Sequence, residues 1–279
     1  MTGESRNSTI EYVEAPLKYL ADDSAIPVYI ASVGGGVNTI HEGNYVWQSV
    51  VIRNARIRQG AFELDREGFT LLSHSSAVGD FYDDGEIAAV YEHEVRALVK
   101  RATGATRVEV FDHTRRSSSV DIQKERKVRE PASAVHNDYS DASGPRRLRD
   151  HFGKMSHEIE ALLSRRFAIV NVWRSVRGAI YRSPMTMCDA QSVAAKDLIP
   201  VKRKAKDRIG EIQAPLFNLT HRWFYFPEMQ MNEALLIKTF DSATDGRARF
   251  TIHAAFDDPN TPDDAPQRES IETRCFAFF

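Results

Sequence analysis

The residues of greatest chemical interest are a histidine and an aspartate two positions apart, His136 and Asp138, in the segment PASAVHNDYSDASGPRR. Residues two apart on a strand point to the same side, so one imidazole nitrogen and one carboxylate oxygen could share a metal ion. A second histidine from a distant strand would complete the two-histidine, one-carboxylate set that binds non-haem iron(II). One such pair is expected by chance in a chain with nine histidines, so it needs support from the rest of the sequence.

The remaining metal ligand must come from another part of the chain, and two histidines qualify. His253 lies in a strand-like segment late in the sequence and is our first choice. His221, in the run 220–223, is the alternative third ligand and otherwise a polar residue that lines the pocket. The order of the residues favours His253, because an anion-binding pair follows it. Taken alone, His253 would be interpreted as a hydrogen-bonded histidine of the core.

An arginine and a serine two residues apart, Arg268 and Ser270, indicate a binding site for a carboxylate. Their side chains share one face of a strand, so a guanidinium and a hydroxyl can bind one carboxylate together. Arg274 lies on the same face six residues after Arg268 and is the alternative cation. Asn171 is an inward-facing amide, expected either beside this anion or in an ordinary hydrogen bond of the core.

Further side chains on the same strands are expected to line a substrate pocket. Aromatic residues there would hold an apolar small molecule, although most Trp and Tyr residues on such strands belong to the core. The candidates are Tyr139, Trp173, Arg174, His221, Trp223 and Tyr225.

Length and composition restrict the class of protein. The 279 residues, 42% of them hydrophobic, suffice for one substantial core, and no repeat or linker divides them. We therefore expect a single domain over residues 1–279, with residues 1–64 as an N-terminal extension packed on the core. A net charge of -2 argues against a nucleic-acid partner, and no apolar run is long enough to span a membrane.

The cysteines and the N-terminus bear on the compartment. Cys188 and Cys275 do not make a disulfide framework, and the first residues lack a signal-peptide pattern. The sequence therefore predicts a cytoplasmic protein, and it leaves a homodimer open.

Hydrophobic patterns predict a mainly β protein with flanking helices. Residues 83–102 have helical spacing, and residues 143–165 are predicted to be rich in helix. Strands are predicted at 45–52, 56–64 and 106–113, and residues 65–72 are predicted to form a turn followed by a strand. Six more strands are predicted in succession from residue 167 onward. Many strands in succession favour an antiparallel sandwich or barrel faced by helices.

Three polar stretches are predicted to lie outside this core. Residues 1–24 are interpreted as a segment on the outer surface, and the basic run 201–206 as a solvated loop. Residues 114–130 are charged and serine-rich, which indicates a mobile loop. Because this loop leads to His136, we interpret it as a lid over the site, with a plain connection as the alternative.

Four sequence blocks carry a resemblance to a known family. They are VHNDYSDASGPRR, IVNVWRSVRG with SPMTMCDAQSV, HRWFYFPEMQMNEALLIKTFDS, and HAAFDDP with RESIETR. From about residue 65 to the C-terminus the chain resembles the hydroxylase/desaturase family of natural-product pathways. Its relatives include a gibberellin desaturase-like protein and a component of the cephalosporin 7-alpha-methoxylase system. The resemblance implies a double-stranded β-helix, the jelly roll of cupin-like proteins.

The resemblance also implies an activity and its residues. The activity is that of an Fe(II)- and 2-oxoglutarate-dependent dioxygenase, which uses O2 to oxidise an unactivated C–H bond of a small natural product. His136, Asp138 and His253 would bind iron, and Arg268 with Ser270 would bind 2-oxoglutarate. The family's Pro-His-Thr-Ala-Phe block corresponds here to IHAAF, residues 252–256, so its proline and threonine are replaced. The Arg-x-Ser-Ile-Glu-x-Arg block is intact at residues 268–274.

Two other functions compete with this one. The chain could be a non-catalytic accessory protein of a biosynthetic enzyme complex, because a member of the family acts as the partner of another enzyme. The second competing function is that of a zinc-dependent cupin-type hydrolase or isomerase. Only the oxygenase would form succinate in a reaction that requires iron.

Overall fold

A computed structural model describes residues 10–22, 28–58, 61–153, 157–205 and 208–279. The strands within these ranges are β1 (Tyr12–Leu20), β2 (Val28–Ile30), β3 (Ile40–Glu42), β4 (Tyr45–Asn54), β5 (Phe69–Ser73), β6 (Arg107–Ser117), β7 (Phe167–Ser175), β8 (Met185–Cys188), β9 (Leu198–Ala205), β10 (Arg208–Pro215), β11 (Trp223–Tyr225), β12 (Glu233–Asp241), β13 (His253–Ala255) and β14 (Glu269–Phe278).

The helices lie mostly where hydrophobic spacing predicts them. They are α1 (Asp84–Glu86), α2 (Glu92–Thr103), α3 (Val120–Arg126), α4 (Ser143–Phe152) and α5 (His157–Leu163). A π-helical turn joins α1 to α2, which confirms the predicted helix at 83–102. Asp83 caps its start, and Gly104 ends it with a φ of 73°. None of the helices in the described ranges has both the length and the apolar character that a membrane crossing requires.

Two curled sheets face each other around a shared interior. The main sheet has the strand order β5-β12-β7-β14-β6, and the second sheet has the order β1-β4-β11-β8-β13. Phe69 and Trp173 of the main sheet pack in one cluster with Met187 of the second. A smaller sheet has the order β10-β9-β2-β3. The arrangement is a double-stranded β-helix, which confirms the predicted fold class.

Alternation along the central strands separates apolar from polar side chains. Both β7 and β14 are buried over their whole length. The outer face of β7 contributes Val170 and Val172 to a cluster with residues of α2. On β14, Ser270, Glu272 and Arg274 share the inner face because their side chains recur with the strand's period of two, and Arg268, directly before the strand, continues the row. A row of polar groups therefore runs through the interior of the barrel.

The predicted exterior position of residues 1–24 is wrong for the part that the structure describes. Residues 12–20 form β1, which pairs antiparallel with β4 along its whole length. Leu17 and Tyr19 are fully buried, because every second residue of β1 faces a core cluster. Residues 1–9 and 23–24 lie outside the described ranges.

Three further predictions are also wrong. The predicted strand at 56–64 is replaced by a short 3-10 turn, Ala55–Ile57, and residues 59–60 lie outside the described ranges. The basic run 201–206 forms most of β9, which pairs with β10, while residue 206 lies outside those ranges. Residues 114–130 complete β6 and form α3 rather than a mobile loop, so the lid interpretation loses its basis. In β6 and β9, cross-strand pairing outweighed the polarity of the sequence.

Candidate metal centre

Backbone pairing places two histidines side by side in the barrel. His136 pairs antiparallel with His253, and the N–H of each donates to the carbonyl oxygen of the other, at 3.1 and 2.9 Å. Asn137 pairs in the same way with Gln213 of β10, so the segment is held from both sides. The two imidazole centroids are 4.6 Å apart. Asp138 completes the group, because one ligand atom from each of the three residues lies within 4.8 Å of the others.

Both imidazoles are held in the orientation that a metal ligand requires. Nδ1 of His136 lies 2.9 Å from the carbonyl oxygen of Ala134, and Nδ1 of His253 lies 2.9 Å from that of Thr251. A carbonyl oxygen only accepts, so each Nδ1 carries the proton and each Nε2 keeps a lone pair for a metal. Burial and the neighbouring His253 lower the pKa of His136 to about 3, which keeps this imidazole neutral near pH 7.

Asp138 is held as a carboxylate by its neighbours. Its Oδ2 accepts hydrogen bonds from Nε of Arg274 at 2.9 Å and from Nδ2 of Asn171 at 2.7 Å. Its Oδ1 lies 3.7 Å from Nε2 of His136. Burial raises the pKa of Asp138, but Arg274 and the two histidines outweigh it and hold that pKa well below the usual range. One oxygen is thus fixed by the protein, and the other faces the imidazoles.

Arg274 and Asn171, two candidates for cosubstrate binding, lie beside Asp138. The remaining Arg274 nitrogens donate to the side chains of Asp112, Thr114 and Glu272. Asn171 also donates to Oε1 of Glu272 at 2.9 Å. Each nitrogen of the Arg274 guanidinium is therefore engaged by the protein, and both residues orient the carboxylate of Asp138.

Arg268 differs from Arg274 because its guanidinium is incompletely satisfied. Nε lies 3.1 Å from Oγ of Ser270, and Nη1 donates to the carbonyl oxygen of Ser183 at 2.6 Å. Nη2 is buried and has no hydrogen-bond partner among the described residues. Burial and the positive charge of Arg116 lower the pKa of Arg268 to about 9, against the opposing effect of Glu272. An anion in contact with Nη2 would satisfy it, so the group fits a carboxylate ligand.

Two of the candidate pocket residues lie on or near the inner surface. Tyr139 lines the same cleft as His136 and Asp138. Trp173 packs beneath Arg268, whose Cζ is 4.9 Å from the centre of its ring. Nε1 of Trp173 is buried and has no hydrogen-bond partner among the described residues.

Arg174 is not in the pocket, because successive residues of β7 point to opposite faces. Its Nη2 donates to the carbonyl oxygens of His74 at 2.5 Å and Met231 at 2.7 Å. Its Cζ is 5.8 Å from the ring centre of Tyr91, a residue of the cluster outside the main sheet. The expected pocket role is therefore corrected to an outer-face contact.

Trp223, Tyr225 and His221 also lie away from the centre. Trp223 and Tyr225 are fully buried in a cluster with Ile252 and Ala254, which flank His253 and face the opposite way. Nδ1 of His221 is 3.1 Å from the hydroxyl of Tyr19, and its Nε2 is 3.3 Å from Asp197. His221 is therefore absent from the three-residue group that the described chain brings together.

A cleft that holds about 740 Å³, its open mouth included, leads from His136 and Asp138 to the surface. Among the residues that line it, Arg116, Arg129 and Arg203 were not candidates predicted from the sequence. The first two lay in the stretch interpreted as a loop. Thr114 and Arg116 show the period of two that marks a strand, but the surrounding charge concealed it.

Comparison with known proteins agrees with this geometry. Residues 12–278 match the family described as "Oxidoreductase/YMDC permease-like domain". A hydroxylase/desaturase of Cercospora beticola (CTB9) is 34% identical over 88% of this chain and 81% of its own. An Fe(II)/2-oxoglutarate-dependent dioxygenase of Aspergillus novofumigatus (nvfI) is 31% identical, over 85% of this chain and 86% of its own.

A solved structure shows the same fold. The iron and alpha-ketoglutarate-dependent endoperoxidase NvfI superposes with a TM-score of 0.84 at 26% sequence identity, covering 97% of this chain and 99% of its own. The match therefore extends over the barrel and both segments that carry the histidines. Together with the relatives in sequence, it shows that the chain belongs to the hydroxylase/desaturase family of Fe(II)- and 2-oxoglutarate-dependent dioxygenases.

Proposed function

We propose that His136, Asp138 and His253 hold Fe(II), and that Arg268 with Ser270 binds the distal carboxylate of 2-oxoglutarate. The observation that carries the iron assignment is the convergence of the three ligand atoms within 4.8 Å. Both histidines present Nε2 there, because carbonyl oxygens engage Nδ1. Two neutral imidazoles and one carboxylate form the donor set of non-haem iron(II) oxygenases.

Each residue near the centre has a distinct part in this proposal. Bound iron, with 2-oxoglutarate and O2, supplies the oxidising power that removes hydrogen from an unactivated C–H bond. Arg274 and Asn171 hold Oδ2 of Asp138, which leaves Oδ1 for the metal. Such contacts fix the orientation of a ligand and tune its basicity.

The cosubstrate assignment rests on the unsatisfied guanidinium of Arg268. Its Nη2 lacks a partner in the described chain, and its Nε already lies beside the hydroxyl of Ser270. A carboxylate placed against both groups would complete their hydrogen bonds. Arg274 is the weaker candidate because Asp112, Asp138 and Glu272 neutralise it.

The substrate is a small natural product, and we propose that it enters through the cleft beside Asp138. The relatives support hydroxylation or desaturation, and the structural relative is an endoperoxidase. We further propose one oxygenase domain, since a single family match spans residues 12–278. The unpaired buried Cys188 and Cys275 favour a cytoplasmic location, and a homodimer is retained as the proposed assembly.

The experiment that tests the proposal is the conversion of 2-oxoglutarate to succinate. The purified protein should form succinate only with Fe(II) and O2 together, and His136→Ala should abolish the reaction. Zn(II) in place of Fe(II) serves as the control. Succinate formed without added iron in metal-stripped protein would refute the proposal.

A further inference from the structure

The cleft that leads to the metal centre carries more positive charge than its own carboxylates neutralise. Its arginines are Arg116, Arg129, Arg146, Arg147, Arg203 and Arg274. Its carboxylates are Asp112, Asp138, Asp150 and Glu211. Because Asp112 and Asp138 are paired with Arg274, only Asp150 and Glu211 of the lining remain for Arg116, Arg129, Arg146 and Arg147.

Arg116 is the most deeply placed of these four cations. Its exposed fraction is 9%, and it lies directly across from Ser270 in the pairing of β6 with β14. Its Nη1 donates to the carbonyl oxygen of Glu130 at 2.8 Å. No carboxylate in the described ranges forms an ion pair with it. A buried cation without a counter-ion is unfavourable, so the site favours an anionic ligand.

Arg129 lies next to Arg116. The two residues form a parallel backbone bridge, and both side chains line the cleft. Burial in the first place, and then the positive charges of Arg116 and Arg203, lower the pKa of Arg129. Like Arg116, Arg129 makes no ion pair with a carboxylate of the described chain. Two neighbouring guanidiniums of this kind can bind one carboxylate through several charge-assisted hydrogen bonds.

We propose that Arg116 and Arg129 bind a carboxylate of the organic substrate, so that the enzyme selects acidic natural products. The inference rests on the proposed iron site. A substrate carboxylate is favoured over one from 2-oxoglutarate because Arg268 and Ser270 already offer a site for the distal carboxylate. Arg116 and Arg129 instead line the open cleft through which a substrate reaches Asp138.

The test compares a carboxylate probe with an uncharged analogue of the same shape. The probes are 1-naphthaleneacetate and its primary amide, 1-naphthaleneacetamide. The protein is loaded with Mn(II) in place of iron and saturated with 2-oxoglutarate, and enhanced proton relaxation of each probe reports its binding near the metal. We expect the wild type to bind the carboxylate about tenfold more tightly than the amide, the ratio expected for a charge-assisted hydrogen bond.

Three variants locate that preference. Arg116→Gln and Arg129→Gln should each reduce the carboxylate preference to less than about threefold, since each removes part of a charge-assisted site. Arg126→Gln, which removes the same charge from an exposed residue of α3, should keep the preference. Since Arg129 is only partly buried, Arg129→Gln stays informative even where Arg116→Gln fails to fold.

The opposite results overturn the inference. A wild type without preference for the carboxylate, or a preference retained in Arg129→Gln, contradicts it. So does a rise in the Kd of 2-oxoglutarate in Arg129→Gln with unchanged probe binding, because the arginines would then serve the cosubstrate. Failure of the iron proposal is a separate result, namely a wild type that does not bind Mn(II) and 2-oxoglutarate together.

Discussion

Arg274 and Asp138 form an ion pair inside the barrel, with Nε 2.9 Å from Oδ2. Every nitrogen of this guanidinium already donates to a side chain of the protein, so we expect the arginine to orient the carboxylate rather than to bind a cosubstrate. In the proposed iron site, the properties of the metal centre would therefore depend on a residue that does not touch the metal.

We therefore expect Arg274→Gln to weaken Fe(II) binding by about ten- to a hundredfold, the usual effect of removing a partner of a metal ligand. The carboxylate of Asp138 would lose its cationic neighbour and bind protons more readily. Anaerobic calorimetric titration with Fe(II) measures the change, with Arg126→Gln as the control for charge. Unchanged iron affinity together with a weaker affinity for 2-oxoglutarate would move Arg274 to the cosubstrate site.

Arg268→Ala should raise the Kd of 2-oxoglutarate by tens-fold or more, because loss of one partner of a buried charge pair costs about 2–5 kcal/mol. Iron affinity should change little. Titration of the iron-loaded protein with 2-oxoglutarate under anaerobic conditions gives both values. Arg177→Ala is the matched control, since that neighbouring side chain is 80% exposed. An unaltered Kd in Arg268→Ala would exclude this arginine from the cosubstrate site.

Stability should depend on pH through His41. Burial and Lys18 lower its pKa to about 4, and its Nδ1 lacks a partner in the described chain. In the unfolded chain His41 binds a proton near pH 6.5, whereas in the folded state it does so only near pH 4. The free energy of unfolding therefore decreases as the pH falls from about 6.5 to 4.

His41→Phe isolates that contribution, because a phenyl ring keeps the packing against Tyr29 and Tyr45. As the pH is lowered from 8 to 5, the free energy of unfolding of the variant should rise relative to that of the wild type, as measured by urea unfolding at each pH. A stability difference that does not vary over this range would show that His41 titrates normally.

Gly144→Ala should destabilise the protein. A Cβ at this position would lie 2.5 Å from Cδ2 of Phe240, a ring held in the core. Overpacking costs about 1–3 kcal/mol, which exceeds the gain of at most about 1 kcal/mol in helix propensity. Gly210→Ala is the control, since its nearest contact would be 3.9 Å away. Equal unfolding free energies for the two variants would argue against a rigid contact at Phe240.

The period of two in β14 and the helical spacing of residues 84–103 could be predicted because they depend on local patterns of side chains. The pairing of His136 with His253 could not be derived from local patterns, because it joins two segments that are far apart in the sequence. The polarity of the residues around Arg116 and in β9 predicted loops, whereas cross-strand hydrogen bonds make both segments strands. The face that Trp223 occupies could not be predicted either, because its strand is only three residues long and shows too little alternation.

The central claim is that His253, and not His221, completes the iron site with His136 and Asp138. Anaerobic titration with Fe(II) and 2-oxoglutarate tests it through the iron stoichiometry and the visible absorption band of the bound cosubstrate. Wild type and His221→Ala should each bind one iron and show the band, whereas His253→Ala should lose both. Retention of iron and the band in His253→Ala, with their loss in His221→Ala, would contradict the account.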